Sequence, residues 1–158
     1  MVNPSHILVR DSDRQLTLCF AVIQLARALG LSPIITTASL KHEEYLKFLG
    51  ATHVVERSTP IASLHDEIKK IASGPIKHVY DAISSQETQQ LGHDLLVPGG
   101  QLAIVTKLKI SMADDKTTLY AFGSRSVPEN HELLKIMFSK LTRFLEDGVI
   151  VVCSTLLF

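Results

Sequence analysis

The turn between the first apolar segment and the first helical segment carries four charged side chains and no glycine. It reads RDSDRQ, from Arg10 to Gln15, and includes Asp11 and Asp13. A strand, a turn and a helix in this order form the place where α/β proteins bind a pyrophosphate, through bare backbone N–H groups and the helix N-terminus. Because side chains fill this turn and carboxylates repel phosphate, the sequence predicts an impaired phosphate loop.

The remaining reactive side chains show no catalytic or metal-ligating pattern. Cys19 and Cys153 are far apart and lack the spacings of zinc sites, so both thiols are predicted to lie in the core. There is no HExxH pair and no Gly-x-Ser-x-Gly motif. The histidines are His6, His42, His53, His65, His78, His93 and His131. We therefore predict neither a catalytic constellation nor a metal site.

Length and composition favour one globular domain. The chain has 158 residues, of which 46% are hydrophobic and 20% charged, and 16 basic residues balance 16 acidic ones. Zero net charge disfavours nucleic acid as a partner, and no apolar stretch reaches the roughly 18 residues of a membrane span. Isolated cysteines are typical of a reducing compartment. The sequence predicts a single domain, residues 1–158, in the cytoplasm, with neither nucleic acid nor membrane as a partner.

Strand-like and helix-like segments alternate along the chain, and glycines or prolines separate them. Helices are predicted at 16–29, 39–49, 61–73, 86–96 and 129–146, and strands at 6–9, 32–38, 52–56, 77–83, 101–106 and 118–124. Ser39 is expected to cap the second helix, and Ser84 with Glu87 forms a capping box for the fourth. Residues 98–100, Pro-Gly-Gly, are expected to turn the chain into the fifth strand.

This alternation predicts an α/β fold. The expected architecture is a Rossmann-like, doubly wound, mostly parallel six-stranded sheet with helices on both faces. Ligands of such sheets bind at the carboxyl ends of the strands, near the point where the strand order reverses. We therefore expect a site formed by the turns after the first, second, fourth and fifth strands.

Three segments together resemble a known family. They are SLKHEEYLKFLGATHVVER, KHVYDAIS and VPGGQLAIV. In this order they resemble the cofactor-binding half of medium-chain dehydrogenases/reductases, and most of all the zinc-independent enoyl reductase and quinone-reductase-like branch of fungi. The similarity extends over about Ile7 to Ile150. The resemblance implies an NADP-binding-type domain of an oxidoreductase that transfers a hydride to an activated double bond.

The sequence departs from this family in two respects. Family members have glycine in the turn after the first strand, which here has none. They also carry a separate catalytic domain before the cofactor-binding domain, whereas this sequence starts just before the first strand. We therefore expect the chain to be inactive alone. An aberrant gene product is an alternative explanation of the unusual loop and termini.

The resemblance also implies which residues contact the cofactor. Ser39, Lys41 and Tyr45 match positions that contact the 2′-phosphate of NADP, and their hydroxyl, ammonium and phenol groups suit that ligand. The other implied cofactor-binding residues, which line the adenosine and nicotinamide portions, are Ile83, Ser84, Val105 and Thr106. Both sets also have a purely structural interpretation. Ser39 would cap a helix, Lys41 would be a solvated charge and Tyr45 would lie at the edge of the core, while the other four residues would only end strands and cap the next helix.

Two functions remain open at this point. The first is an NADP-binding-type domain with weak or absent NADP binding, because the phosphate loop is impaired. The second is a non-enzymatic binding or interaction module that retained the fold. The apolar run VIVVCSTLLF and the edge-strand segment TLYAFGS also predict self-association, as a homodimer.

Overall fold

Strands and helices alternate along the chain. The computed structural model describes residues 6–10, 16–121, 123–124, 126–128 and 130–152. The strands are β1 (His6–Arg10), β2 (Ile34–Ala38), β3 (His53–Glu56), β4 (Ile76–Asp81), β5 (Leu96–Ile104) and β6 (Thr117–Tyr120). The helices are α1 (Leu16–Ala28), α2 (Glu43–Leu49), α3 (Ile61–Ala72), α4 (Gln86–Leu95) and α5 (Asn130–Glu146). A 3₁₀ helix, Leu40–His42, precedes α2.

The strands of the described residues pair in parallel, side by side in the order β3-β2-β1-β4-β5-β6. The chain moves outwards from β1 to β3, returns to β4 beside β1, and moves outwards again to β6. The predicted Rossmann-like α/β fold with parallel pairing is confirmed. All carboxyl ends meet at one edge of the sheet, and the strand order reverses between β1 and β4.

The helices pack in two pairs, one formed by α1 with α2 and the other by α3 with α4. Because parallel crossovers are right-handed, the two directions of travel place these pairs on opposite faces of the sheet. The Phe20 ring of α1 meets the Tyr45 ring of α2 edge to face, with centroids 5.4 Å apart. The core beside α3 and α4 includes Ile35, Val55, Leu64, Ile68, Val79, Leu91, Leu95, Leu102 and Ile104.

Glycines end the first two helices, as the sequence predicted. After α1, Gly30 has φ +73°, and Leu31 N–H donates to the Ala26 carbonyl at 3.0 Å. After α2, Gly50 has φ +129°, and the next amide donates to the Leu46 carbonyl at 2.9 Å. Both arrangements satisfy carbonyls that the helix leaves unpaired, and both need a backbone conformation that favours glycine. Cys19, in α1, is buried as predicted; Cys153 lies outside the described residues.

Several predicted strand boundaries were wrong, most clearly in β4, β5 and β6. Strand β4 ends at Asp81 rather than at residue 83, because the Asp81 side chain captures the next backbone N–H groups. Strand β5 begins at Leu96 rather than at residue 101, since a register shift against β4 accommodates the predicted Pro-Gly-Gly turn within the strand. Strand β6 covers Thr117–Tyr120 rather than 118–124.

The chain divides by its internal contacts into two compact units, Met1–Ala121 and Phe122–Phe158. The first unit contains the sheet and α1 to α4, and the second contains α5. The single domain predicted for residues 1–158 stays a prediction. No helix within the described residues is both long enough and apolar enough to cross a bilayer.

Two adjacent threonines in β2 lie in contrasting environments. Both are completely buried. The Thr36 hydroxyl donates to the Val9 carbonyl at 3.2 Å. The Thr37 hydroxyl has no hydrogen-bond partner among the described residues. A buried hydroxyl without a partner destabilises the fold, whereas a bonded one stabilises it.

We predict that Thr36→Val and Thr37→Val change stability in opposite directions. Thr37→Val should raise the free energy of unfolding by about 1 kcal/mol, because it replaces an unpaired hydroxyl with a methyl group of similar shape. Thr36→Val should lower it by about 1 kcal/mol, because it leaves the Val9 carbonyl without this donor. Denaturant titration of both variants measures the difference. A loss of stability in both variants would show that the Thr37 hydroxyl has a partner beyond the described residues.

Candidate functional site

The candidate site lies at the carboxyl edge of the sheet, where the chain leaves β1, β2, β4 and β5. The turn after β1 was predicted to be an impaired phosphate loop, and its residues 11–15 lie outside the described residues. The turns after β2, β4 and β5 are described. They contain six of the seven residues that the family resemblance assigned to a cofactor, and the seventh, Tyr45, lies in α2.

The corner between β4 and α4 is built around the carboxyl group of Asp81. This side chain is completely buried at the end of β4. Its Oδ1 accepts the backbone N–H groups of Ile83 and Ser84, each at 3.0 Å. These two bonds fold the chain back immediately after the strand, and Ser84 takes a left-handed conformation with φ +51°. A non-glycine residue in this conformation is strained, so the hydrogen bonds of the corner must hold it there.

The predicted capping box of Ser84 and Glu87 was wrong by one residue. Ser85 is the N-cap of α4, and its Oγ accepts the Thr88 N–H at 3.1 Å. In return, the Thr88 hydroxyl accepts the Ser85 N–H at 3.0 Å. The Thr88 hydroxyl also donates to Oδ2 of Asp81 at 2.6 Å. The cap therefore moves one residue along the chain because the buried carboxyl group of Asp81 requires Thr88 as a donor.

Ser84 joins this corner to the end of β5. Its hydroxyl donates to the Asp81 carbonyl at 2.7 Å and accepts the Val105 N–H at 3.1 Å. Its carbonyl accepts the hydroxyl of Thr106 at 3.1 Å. The structure thus brings together Ser84, Val105 and Thr106, three of the predicted residues, with Ile83 beside them. The Ser84 hydroxyl is buried, and both its donor and its acceptor capacity are used within the protein. The surface that a ligand could reach is therefore formed by the half-buried Ile83, Val105 and Thr106.

Two further residues, Gln89 and Lys109, belong to this network and were not identified from the sequence. Buried Gln89 donates to the Lys107 carbonyl at 3.0 Å and accepts the Lys109 N–H at 2.8 Å. The Lys109 ammonium donates to the Ser84 carbonyl at 2.8 Å. The only sequence signal for Lys109 was a lysine soon after a predicted strand end, which does not reveal the long-range contact.

The other three predicted residues lie in a short turn at the end of β2 and in the helix that follows this turn. Ser39 precedes the 3₁₀ helix, but its side chain makes no capping hydrogen bond, contrary to the prediction. Lys41 is exposed in the 3₁₀ helix, and Tyr45 is half-buried in α2. The Tyr45 ring packs between Phe20 and Phe48, with centroids 5.4 and 6.1 Å away. Ser39 and Lys41 therefore lie at the carboxyl edge of the sheet. Tyr45 packs against two phenylalanine rings, and because it is only half-buried, this packing is compatible with contact to a ligand.

The carboxylate of Glu56 holds this turn against the end of β3. Its Oε2 accepts the Leu40 N–H and its Oε1 accepts the Ser58 N–H, both at 3.2 Å. These backbone hydrogen bonds, from Leu40 and then Ser58, lower the pKa of Glu56 below its ordinary value. The turn that carries Ser39 and Lys41 thus depends on a negative charge supplied by the neighbouring strand.

We predict that Glu56→Gln destabilises the protein in a pH-dependent way. A lowered folded-state pKa means that the carboxylate stabilises the fold above about pH 4.5 and loses this effect as the pH falls through the folded-state pKa. The difference in denaturation midpoint between Glu56→Gln and the unmodified chain should be fully present near neutral pH and should shrink as the pH falls below about 4.5 and through the folded-state pKa. Denaturant titrations at several pH values measure it.

Glu67→Gln is the matched control for this experiment, because Glu67 is exposed in α3 and its carboxylate makes no hydrogen bond within the described residues. Its midpoint should follow that of the unmodified chain at every pH. A Glu56→Gln difference that is independent of pH would contradict the assigned role of the carboxylate.

The described residues contain no group of three or more His, Cys, Asp or Glu side chains that could hold a metal ion. The absence of a metal site remains a prediction for the whole chain. At the carboxyl edge, the described donors are instead hydroxyls, backbone N–H groups and the ammonium groups of Lys41 and Lys109. These groups suit an anionic, hydroxyl-rich ligand better than a cation.

Solved structures with this fold include several reductases. The chain matches the CurK enoyl reductase with a TM-score of 0.76 and 20% identity, over 96% of this chain and 47% of the other. It matches the nucleotide-binding subdomain of the enoylreductase domain of PpsC from Mycobacterium tuberculosis with a TM-score of 0.72 and 19% identity, over 95% and 87% of the two chains. A quinone oxidoreductase of Pseudomonas syringae pv. Tomato DC3000 gives a TM-score of 0.72 and 22% identity, over 96% and 49%.

Sequence comparison identifies the family. An uncharacterized protein of Saccharomyces cerevisiae is 34% identical over 120 residues, which are 68% of this chain and 31% of that protein. The chain thus spans about a third of this relative and about half of the CurK and Pseudomonas enzymes. The family model of zinc-binding dehydrogenases matches residues 18–142. The sequence-based resemblance to the cofactor-binding part of medium-chain dehydrogenases/reductases is confirmed, and the chain belongs to the zinc-binding dehydrogenase family.

Proposed function

We propose that this chain is the nucleotide-binding part of an enoyl-reductase-like oxidoreductase and that it binds NADP weakly. The observation that carries the proposal is the convergence of three turns at the carboxyl edge. The corner after β4 is joined to β5 through Ser84, Val105 and Thr106, and the turn after β2 presents Ser39 and Lys41. This is the edge at which parallel sheets bind dinucleotides.

The preference for NADP over NAD rests on the end of β2. An acidic residue there would hydrogen-bond the ribose hydroxyls of NAD and repel a 2′-phosphate. Here the strand is followed by Ser39, Leu40 and Lys41, which offer a hydroxyl and an ammonium. A neighbouring carboxylate, that of Glu56, is engaged by the backbone N–H groups of Leu40 and Ser58. Lys41 therefore supplies the charge that would distinguish the two cofactors.

Weak binding follows from the turn after β1. Asp11 and Asp13 replace the bare backbone that a pyrophosphate requires. The loss of several charge-assisted hydrogen bonds, each of about 1.5 to 3 kcal/mol, weakens affinity by about three decades or more. We expect NADPH to bind in the high micromolar range or more weakly.

We also expect no turnover by the chain alone, because no residue is assigned as a proton donor.

Calorimetric titration with NADPH and NADH tests the proposal. The unmodified chain should bind NADPH more tightly than NADH, and Lys41→Ala should remove this difference. Lys47→Ala is the matched control, because Lys47 is an exposed lysine of α2 that pairs with Glu43 at 2.7 Å; it should preserve the preference. Replacing residues 10–15 with a glycine-rich turn should tighten NADPH binding.

Submicromolar NADPH binding by the unmodified chain would contradict the impaired loop. Equal binding of NADPH and NADH would contradict the role of Lys41. If neither cofactor binds even after the loop replacement, the alternative proposal of a non-enzymatic binding module is favoured.

The second proposal concerns partners: the chain self-associates as a homodimer. Strand β6 is at the edge of the sheet, where Leu119 and Tyr120 are 45% and 55% exposed. Helix α5 buries none of its residues. At 100° per residue, seven large apolar residues of α5 fall within an arc of about 140°. They are Leu133, Leu134, Met137, Phe138, Leu141, Phe144 and Leu145. An apolar face of this size favours contact with a second copy of the chain.

We predict a dimer in sedimentation experiments at tens of micromolar, and a shift towards monomer in the double variant Leu133→Glu, Phe138→Glu. Both substitutions place charges on the apolar face of α5. Ser139→Glu is the control, because Ser139 is exposed on the opposite face and should leave the assembly unchanged. A monomeric unmodified chain at this concentration would refute the proposal.

A further inference from the structure

Lys109 is held at the carboxyl edge by two hydrogen bonds of different kinds. Its backbone N–H donates to Oε1 of Gln89 at 2.8 Å, and Gln89 is completely buried. Its Nζ donates to the carbonyl of Ser84 at 2.8 Å. Although Lys109 is an exposed residue, its ammonium group is therefore fixed at the corner where β4 ends.

The Ser84 carbonyl does not depend on Lys109. It also accepts the Thr106 hydroxyl at 3.1 Å and the Gln89 side-chain N–H at 3.3 Å. A carbonyl oxygen has two lone pairs, so these two donors already satisfy it. The ammonium group, which has three N–H donors, can therefore share them with a ligand without leaving a buried acceptor unpaired.

The charge of Lys109 is not neutralised within the described part of the chain, where the ammonium group lies in no ion pair. Lys116, which precedes β6, has a different position: its Nζ donates to the carbonyl of His93, at the end of α4. Of the lysines between β5 and β6, Lys109 is the one whose ammonium group is bonded to the β4 corner. It is therefore a positive charge fixed on the β4 side of the point where the strand order reverses.

We propose that Lys109 binds a phosphate oxygen of the nucleotide at this corner. An ammonium group held in place and only partly hydrogen-bonded is suited to a charge-assisted bond with phosphate. This inference rests on the proposed nucleotide-binding function and assigns to that site a phosphate contact outside the loop that follows β1.

The test compares the binding of ADP with that of adenosine to the full chain. The two probes differ only in the diphosphate. Lys109→Gln should weaken ADP binding by about tenfold, which is the loss expected for one charge-assisted bond, and should leave adenosine binding unchanged. Lys109→Arg keeps the charge and should retain most of the affinity for ADP. Lys107→Gln is the matched control, because it removes an exposed lysine from the same loop. It should have little effect on the ratio of ADP affinity to adenosine affinity.

The outcomes separate this inference from the proposed function. If the unmodified chain binds NADPH and the ratio of ADP to adenosine affinity is the same in Lys109→Gln, Lys109 does not contact phosphate and the inference is overturned alone. Equal weakening of both probes, together with a lower melting temperature, would also overturn it by showing a purely structural role. If the unmodified chain binds neither NADPH nor ADP, the proposed function fails and the inference fails with it.

Discussion

The carboxyl group of Asp81 is the constraint on which the described site depends. A completely buried carboxyl group is costly unless its oxygens accept hydrogen bonds. Here the donors come from Ile83, Ser84 and Thr88. These hydrogen bonds to the Asp81 oxygens make the chain turn directly after β4, set the first residue of α4 and direct Ser84 towards β5. The shape of the corner therefore follows from the requirement to satisfy one polar side chain.

The same requirement explains why the sequence predicted the fold better than the site. Strand and helix segments were recognisable because their apolar spacing and their glycine ends are local properties, as at Gly30 and Gly50. The end of β4 was not, because Ala82 and Ile83 are apolar and continue the strand pattern. The strand stops at Asp81 because its carboxyl group captures the backbone N–H groups of Ile83 and Ser84, a local turn that apolar spacing does not reveal. Lys109 was missed for a different reason, since its partners Ser84 and Gln89 are 20 or more residues away.

The turn after β2 illustrates a second kind of limit. The residues Ser39 and Lys41 were identified from a family resemblance, and the structure places them at the expected edge. The carboxylate that holds their turn belongs to β3, and the hydrogen bond from Leu40 to Glu56 was not apparent from the sequence. Local sequence therefore indicated which side chains are presented, while long-range hydrogen bonds determine how firmly they are held.

Helix α4 passes into strand β5 without a connecting residue, since α4 ends at Leu95 and β5 begins at Leu96. The segment between β4 and β5 is thus held in place at one end by this junction and at the other end by the hydrogen bonds of Ser84. The helix is also close to the sheet: a Cβ atom on Gly92 would lie only 2.9 Å from Leu102 and 3.0 Å from Val79. Such a segment keeps little conformational freedom in the folded protein. The entropy of ordering it is lost on folding, so a ligand of the candidate site would meet a preorganised wall.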